Sequence, residues 1–308
     1  MKNKVLVLLA SYNGKNYIRE QLNSILSQNN VDVNIYIFDD CSTDNSFIDL
    51  LQFEDKRVFL VKNSEQTGSA AKNFLNSLQS LVTADTLSKF DYVSFADQDD
   101  IWLPNKLYRA VSKIEQENVH LYCSNLTIWN EGTNEKKLLQ KSQKQKKFDY
   151  LFEGASAGCT YVFTTEFAIK LINNYSQIDL SSWKYFSHDW YTYFFARVNK
   201  FMVHIDDQSF IFYRIHDNNV HGQLNLNNLD SIFKRIQLVK SGWYFNHLNN
   251  YKKLISSNSE EYYIYQMYCQ NIFTRIFILL KYNFKLMRSN KKFIKFFFTS
   301  ILFNANKM

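Results

Sequence analysis

Proline occurs once in these 308 residues, at Pro104, and glycine only seven times. That scarcity excludes a string of domains on flexible tethers, although the length predicts about two domains, so a second region has to pack on the first. Cysteine occurs four times, at 41, 123, 159 and 269, with no CxxC pair. Structural zinc is not expected, and free thiols in a reducing compartment are. No basic-then-apolar leader precedes Lys4, and the apolar stretches fall far short of the roughly 18 residues that span a bilayer. The expectation is a cytoplasmic protein. Neither GxGxxG nor GxxxxGK occurs, so phosphate has to be held without the dinucleotide fingerprint or the NTPase loop. Acids are missing from residues 281–308, which carry seven Lys or Arg and leave 29 cations against 29 anions before them. The whole net charge of +7 therefore sits in the tail.

Hydrophobic residues make up 46% of the chain and aromatics 17%, ample for a substantial core. Apolar runs at 5–10, 33–38, 58–61 and 92–96 read as strands, and residues 16–28, 46–52, 69–81 and 105–117 as helices. The segment around 121–129 adds a further strand. This alternation predicts an α/β fold with a mainly parallel sheet, helices on both faces, and ligands beyond the carboxyl ends of the strands. The polar clusters fall there: Ser11 to Gly14, Asp39 to Asp44, and Thr67 to Ser69. Asp44 and its Ser and Thr neighbours also suit ordinary helix caps.

The stretch DYVSFADQDDIW organises the rest. A short apolar run delivers Asp97, Asp99 and Asp100 within four residues, and such crowded carboxylates are naturally relieved by a hard divalent cation, Mg²⁺ or Mn²⁺. The plainer alternative is that Asp100 caps the helix that Pro104 helps to start.

Four blocks, LLASYNGKNYIREQLNSILSQ, IFDDCSTDNS, TGSAAKNF and FADQDDIWLPNKL, resemble in order and spacing the nucleotide-sugar domain of family 2 glycosyltransferases, inverting enzymes of the GT-A fold. The resemblance spans roughly residues 4–107. It implies a GT-A type nucleotide-sugar-binding sheet with flanking helices, Asp39 against the pyrimidine base, and Asp97 and Asp99 for metal and diphosphate. The implied nucleotide-binding set is Ala10, Tyr12, Asn13, Asp39, Asp40, Gly68, Asn73, Asp97 and Gln98.

Inverting transfer needs one base to take the acceptor hydroxyl proton. It needs no nucleophilic carboxylate. The family's (E/H)D motif at a helix start maps onto His188-Asp189, which makes Asp189 the base, with Asp179 and Glu153 as competing acids. The small residues of EGASAGCTYVFT suit a close backbone approach to a sugar or a plain tight turn. The implied acceptor set is Gly158, His188 and Trp190. After an expected hairpin at 201–213, YRxHxxNxxG resembles a block of bacterial rhamnosyltransferases. That likeness puts the His near the diphosphate and metal and makes His216 a third metal ligand, while Arg214, grouped with two His and Asn after a strand, could bind phosphate or complete a metal shell.

These readings divide the chain into a glycosyltransferase domain at 1–225, with donor half 1–128 and acceptor half 129–225, and a C-terminal helical region at 226–308. Two or three helices are expected there, with helical spacing at Ile232-Ile236-Val239 and Ile272-Ile276-Leu279-Leu280. Tail cations beside Phe293, Ile294, Phe296, Phe297, Phe298, Ile301, Leu302 and Phe303 suit a helix on an anionic membrane. A core helix with lysines reaching to solvent suits them too. The run 136–147, with six Lys and no acid, reads as a mobile loop.

The expected partners are a nucleotide-diphosphate sugar donor, a glycan or lipid-linked acceptor and an anionic membrane surface, with homo-oligomerisation left open. A nucleic-acid-binding module is disfavoured, because the first 280 residues are formally neutral and the cleft is lined with Asp. A nucleotidyltransferase would need a Gly-rich activating loop that is missing. The donor best suited to the motifs is dTDP-rhamnose, with a UDP-hexose or UDP-N-acetylhexosamine as the alternative.

Overall fold

The computed structural model describes residues 2–181, 183, 185–216, 237 and 240–302. The loop 217–222, the Ile232-Ile236-Val239 spacing, the 225/226 boundary, Phe303 and Lys307 lie outside the described residues.

Strands β1 (Asn3–Ser11), β2 (Val31–Asp39), β3 (Val58–Lys62) and β4 (Tyr92–Ala96) pair in the order β3-β2-β1-β4, all parallel. Val5 to Leu9 are fully buried because β1 lies between two strands and is covered on both faces. Val5, Val7 and Leu9 share one core with Ile18, Leu22 and Ile25 of helix α1 (Ile18–Leu26), with Leu50 of α2 (Ser46–Leu51) and with Leu107 and Val111 of α4 (Lys106–Glu117). The alternate side chains face the other way. There Phe74 of α3 (Ala70–Thr83) meets Phe95 with ring centroids 5.0 Å apart, and Phe163 meets Phe167 of α5 (Thr165–Tyr175) at 5.6 Å.

The sheet then changes direction. β8 (Val162–Thr164) runs antiparallel to β4 and to β6 (Leu121–Asn130), and β6 is parallel to β9 (Val203–Ile215). β9 in turn pairs antiparallel with the two-residue β5 (Ile101–Trp102), while β7 (Glu135–Leu139) pairs with β6. Three expectations are corrected here. Residues 201–213 form no hairpin, because β9 is one long strand held between β6 and β5. The lysine run 136–147 opens in strand β7, where Lys136 Nζ lies 4.0 Å from the Phe212 ring centroid. Asp100 caps no helix, because Ile101 and Trp102 stay extended against β9 and Asn105 is the residue that precedes α4.

The chain forms two compact units. The first comprises Met1–Ser142, Ala155–Ile178 and Ser187–His216, including α6 (His188–Val198). The second comprises Gln143–Gly154, Asp179–Phe186 and Asp217–Met308. Among its described residues are four helices: α7 (Trp243–Lys253), α8 (Glu260–Gln270), α9 (Ile272–Tyr282) and α10 (Asn290–Leu302). The core of the second unit is tyrosine-rich, with Tyr251, Tyr265 and Tyr268 fully buried. Buried Arg288 donates to the Gly154 carbonyl and pairs with Glu153, which also accepts from the Arg288 backbone at 2.6 Å. Phe293 and Phe296, counted from the sequence among the membrane-facing residues, are packed inside, with Phe296 5.1 Å from the Phe152 ring. No helix among the described residues is long and apolar enough to cross a membrane.

Candidate active site

Parallel pairing aligns Ser11 with Asp39 and Leu9 with Ala96, so the loops after β1, β2 and β4 emerge at one edge of the sheet. Gln98 ties two of them together. Its Nε2 donates to the Tyr12 carbonyl at 2.9 Å and its Oε1 accepts from the Tyr12 amide at 2.8 Å. The space for this side chain comes from Gly14, where a Cβ would stand 2.3 Å from Gln98 Oε1. Gln21 of α1 donates to the Asp97 carbonyl at 3.0 Å and fixes the start of the acidic turn.

The other end of that turn is set by β9. Continued past its paired residues, the β5–β9 register puts Asp99 across from Arg214. Arg214 Nε donates to the Asp99 carbonyl at 3.0 Å, and His216 Nε2 lies 2.8 Å from Asp99 Oδ2. The guanidinium is buried between the Tyr17 and Trp129 rings, at 4.9 and 4.7 Å, and pairs with Glu20 and Glu131. Arg214 therefore spends its charge on two glutamates and its Nε on the acidic turn, while Tyr17 stacks on His216 at 4.7 Å.

Asp97 takes a different set of neighbours. Ligand atoms of Asp97, Asp100 and Cys159 all lie within 4.8 Å of one another. Burial, and next the charge of Asp99, pushes the Asp97 carboxyl up to about 7, and Asp189 adds to the repulsion. Asp100 is raised well above the usual carboxylate range by burial and then by Asp99. Lys106, 3% exposed, lies near it; burial pulls its ammonium down to about 7, and its Nζ sits 3.4 Å from the Trp102 ring centroid. The carboxylate oxygens of this turn are the donors a hard cation takes, and among the described residues the ligand atoms that the fold gathers are those of Asp97, Asp100 and Cys159, not Asp99. Cys159 does not alter that preference, because burial and then the two nearby carboxylates hold its thiol protonated, the wrong state for a zinc ligand. Tyr213, also pushed up by burial and then by Asp97, completes the acidic surroundings.

Asp189 opens α6. Its Oδ1 accepts from the Trp190 amide at 2.7 Å and from the Ser187 hydroxyl, while no hydrogen bond among the described residues falls on Oδ2. Its neighbour His188 packs against Phe74 and Phe95, with centroids at 4.6 and 5.5 Å. A Cβ on Gly158 would stand 2.1 Å from His188 Nε2. The room at Gly158 is thus filled by His188, which wedges the start of α6 against β4. Trp190 is buried at 4% exposure. We expect Gly158→Ala to cost about 1–3 kcal/mol of stability, the usual range for overpacking, and to lower turnover by displacing Asp189. A melting temperature and turnover equal to the parent's would show that the ring moves aside freely.

Of the remaining expected residues, Asp39 is fully buried and accepts from both the amide and the hydroxyl of Ser42. Asp40 accepts from Asn63 and from the Thr67 amide and hydroxyl. Asn73 donates to the Phe38 carbonyl at 3.0 Å. Asn13, in the left-handed region, accepts from the Thr43 amide, Gly68 is also left-handed at φ 79°, and Ala10 is 9% exposed near the end of β1, whose buried run closes at Ser11. Tyr12 is exposed. The competing acids belong to the second unit, where Glu153 pairs with Arg288 and exposed Asp179 accepts from the Ser181 amide. Cys159, Lys106, Tyr213 and Glu20 lie inside the quoted blocks but carry no role there, since only the folded strands bring them to the acids.

Glycosyl transferase family 2 matches residues 6–170. The chain is 35% identical over 243 residues to the dTDP-rhamnosyl transferase RfbG of Shigella flexneri, covering 77% of this chain and 80% of that protein. It is 29% identical over 161 residues to an Escherichia coli UDP-Glc:alpha-D-GlcNAc-diphosphoundecaprenol beta-1,3-glucosyltransferase, WfgD, covering 51% of this chain and 58% of the other. The fold is similar to that of S. aureus TarS 1-349 in complex with UDP, with a TM-score of 0.58 at 15% identity, covering 97% of this chain and 90% of that one.

Proposed function

The chain belongs to glycosyl transferase family 2 and is a glycosyltransferase of the GT-A fold, and from that premise we propose that it moves rhamnose from dTDP-rhamnose to a hydroxyl of a glycan or lipid-linked acceptor in cell-surface polysaccharide synthesis. The observation that carries this reading is that β4 delivers Asp97 and Asp99 to the carboxyl edge, where His216 lies 2.8 Å from Asp99, while Asp189 opens α6 with its charge felt at Asp97. Asp189 Oδ2 takes the acceptor proton as the acceptor oxygen bonds to the anomeric carbon. The carbon–oxygen bond to the diphosphate breaks, and the pair of electrons leaves with the diphosphate. Asp97, Asp99 and His216 would hold Mg²⁺ or Mn²⁺, which when bound supplies positive charge for the leaving diphosphate.

Tyr12, Asn13 and Gln98 line the donor's place, and Asp39 meets the base once Ser42 turns aside. Asp40, Asn73 and Gly68 shape its floor. His188 and Trp190 position Asp189 from behind, and Arg214 positions Asp99. We assign the transferase domain to residues 1–225, with donor half 1–128 and acceptor half 129–225, the C-terminal helical region to 226–308, and the working place to the cytoplasmic face of the cell membrane. The likeness to WfgD favours a second reading, in which the donor is a UDP-hexose.

A thermal-shift panel of nucleotide sugars with and without Mn²⁺ separates the two. A donor at 100 times its dissociation constant stabilises by about 2.7 kcal/mol. dTDP-rhamnose with Mn²⁺ is expected to give the largest shift. A larger shift with UDP-glucose would replace the rhamnosyl reading, and no shift with any nucleotide sugar would overturn the donor site itself.

A further inference from the structure

Helix α9 has two unlike faces. Ile278 and Leu279 are fully buried and Tyr282 nearly so, whereas Phe273, Phe277 and Leu280 stand 80%, 51% and 60% exposed. The exposed three recur at spacings of four and three, so they form one stripe along the helix, and Phe284, 41% exposed, follows in the turn after it. Helix α10 repeats the arrangement. Phe293 and Phe296 face inward, while Ile294, Phe298 and Leu302 are 49%, 57% and 67% exposed. A run of ring contacts links the turn after α9 to α10, from Phe284 to Phe293 at 5.2 Å, on to Phe297 at 6.2 Å and to Phe298 at 5.6 Å. Exposed phenylalanines in such number exceed the scattered apolar residues of an ordinary surface.

Within the two helices and the turn between them the charge is of one sign, and the acids that reach it are Glu153, 3.6 Å from Lys292, and Glu260, beside Lys281. Residues 271–302 contain no acid. Their two arginines are buried and engaged, Arg275 with the Tyr268 and Ser300 carbonyls and Arg288 with Gly154 and Glu153. Lys281, Lys285, Lys291, Lys292 and Lys295 are exposed. Lys281 Nζ lies 5.8 Å from the Phe277 ring centroid, so cation and stripe adjoin.

We propose that the α9–α10 face of the second unit docks on an anionic lipid leaflet, with Phe273, Phe277, Leu280 and Phe298 entering the headgroup boundary and Lys281, Lys285, Lys291 and Lys295 lying over lipid phosphates. Both attractions that hold an interfacial helix are present, apolar side chains long enough to enter the boundary and a positive rim. A second copy of the chain fits less well, because a two-fold contact on this face would set its lysines against the same lysines. The surface stands on its own, while its use in bringing a lipid-linked acceptor to the enzyme rests on the function proposed above.

The test is co-sedimentation of the full chain with phosphatidylcholine vesicles, with and without phosphatidylglycerol, at low and high salt. Binding is expected to require phosphatidylglycerol and to weaken in high salt without vanishing, since salt screens only the lysine part. Phe273→Ser with Phe277→Ser should lower partitioning by about tenfold or more, as two exposed phenyl groups lose their apolar seat. Lys281→Ser with Lys295→Ser should remove chiefly the salt-sensitive part. Donor-induced thermal shifts should be unchanged in both variants. Vesicle binding that ignores the phenylalanine pair, or a wild type that ignores phosphatidylglycerol, overturns the docking surface. So does a concentration-dependent dimer that the same pair converts to monomer. Vesicle binding as expected without any donor-induced shift would leave the surface standing and sink the catalytic reading alone.

Discussion

Asp189→Asn is expected to lower turnover by about 10²–10⁴, the usual range for a general base, while donor binding stays at the parent level. The amide keeps the shape of the carboxylate, its oxygen can still accept from the Trp190 amide and Ser187, and the cap of α6, Ser187, is not touched. Only the ability to take a proton is lost. Because the donor is gathered by other residues, the effect should fall on kcat with little change in the donor KM. Asp189→Ala is the contrasting variant: it also removes the bond from the Trp190 amide and should cost about 1 kcal/mol of stability besides. Turnover within a few-fold of the parent in the Asn variant would remove Asp189 from the role. A rise in donor KM alone would instead make it a binding residue.

Removing the divalent ion with EDTA, or replacing Asp99 by Asn, should lower transfer by about 10³ or more, because the charge that develops on the leaving diphosphate then lacks a cation. Asp99→Asn is the sharper variant, for its carbonyl bond from Arg214 involves the backbone and persists, so the turn should keep its place. His216 supplies an independent arm. Its Nε2 lies on the Asp99 carboxylate, and His216→Ala should weaken metal affinity by about 10–100-fold whether the imidazole binds the ion or only orients Asp99. Adding Mn²⁺ back should restore the EDTA-treated enzyme and, at higher concentration, the His216 variant. Full transfer in EDTA would take the metal out of the reaction.

The parallel half of the sheet was legible in the sequence because its rules are local. A short apolar run between turn signals has to be a buried strand, and the direction of the chain then delivers whatever follows to the carboxyl edge. Asp39, Asp97, Asp99 and Gln98 could be assigned to that edge before any coordinates. The motif His188-Asp189 could likewise be assigned to a helix start. What periodicity cannot reveal is which distant segment meets the edge. His216 reaches Asp99 across 117 residues only because β9 runs straight past β5. Cys159 comes beside Asp97 and Asp100 only because β8 packs against β4. The socket at Gly158 looked like room for a sugar, and only packing shows that His188 fills it.

The same division holds in the C-terminal helices. Spacing identified α9, and composition marked the tail as basic and aromatic, but an amphipathic pattern does not say which apolar side chains the rest of the protein covers. Tertiary packing took Phe293 and Phe296 inward and left Phe273, Phe277 and Leu280 outside. Burial depends on the neighbours a residue acquires, and those are chosen by the whole chain at once.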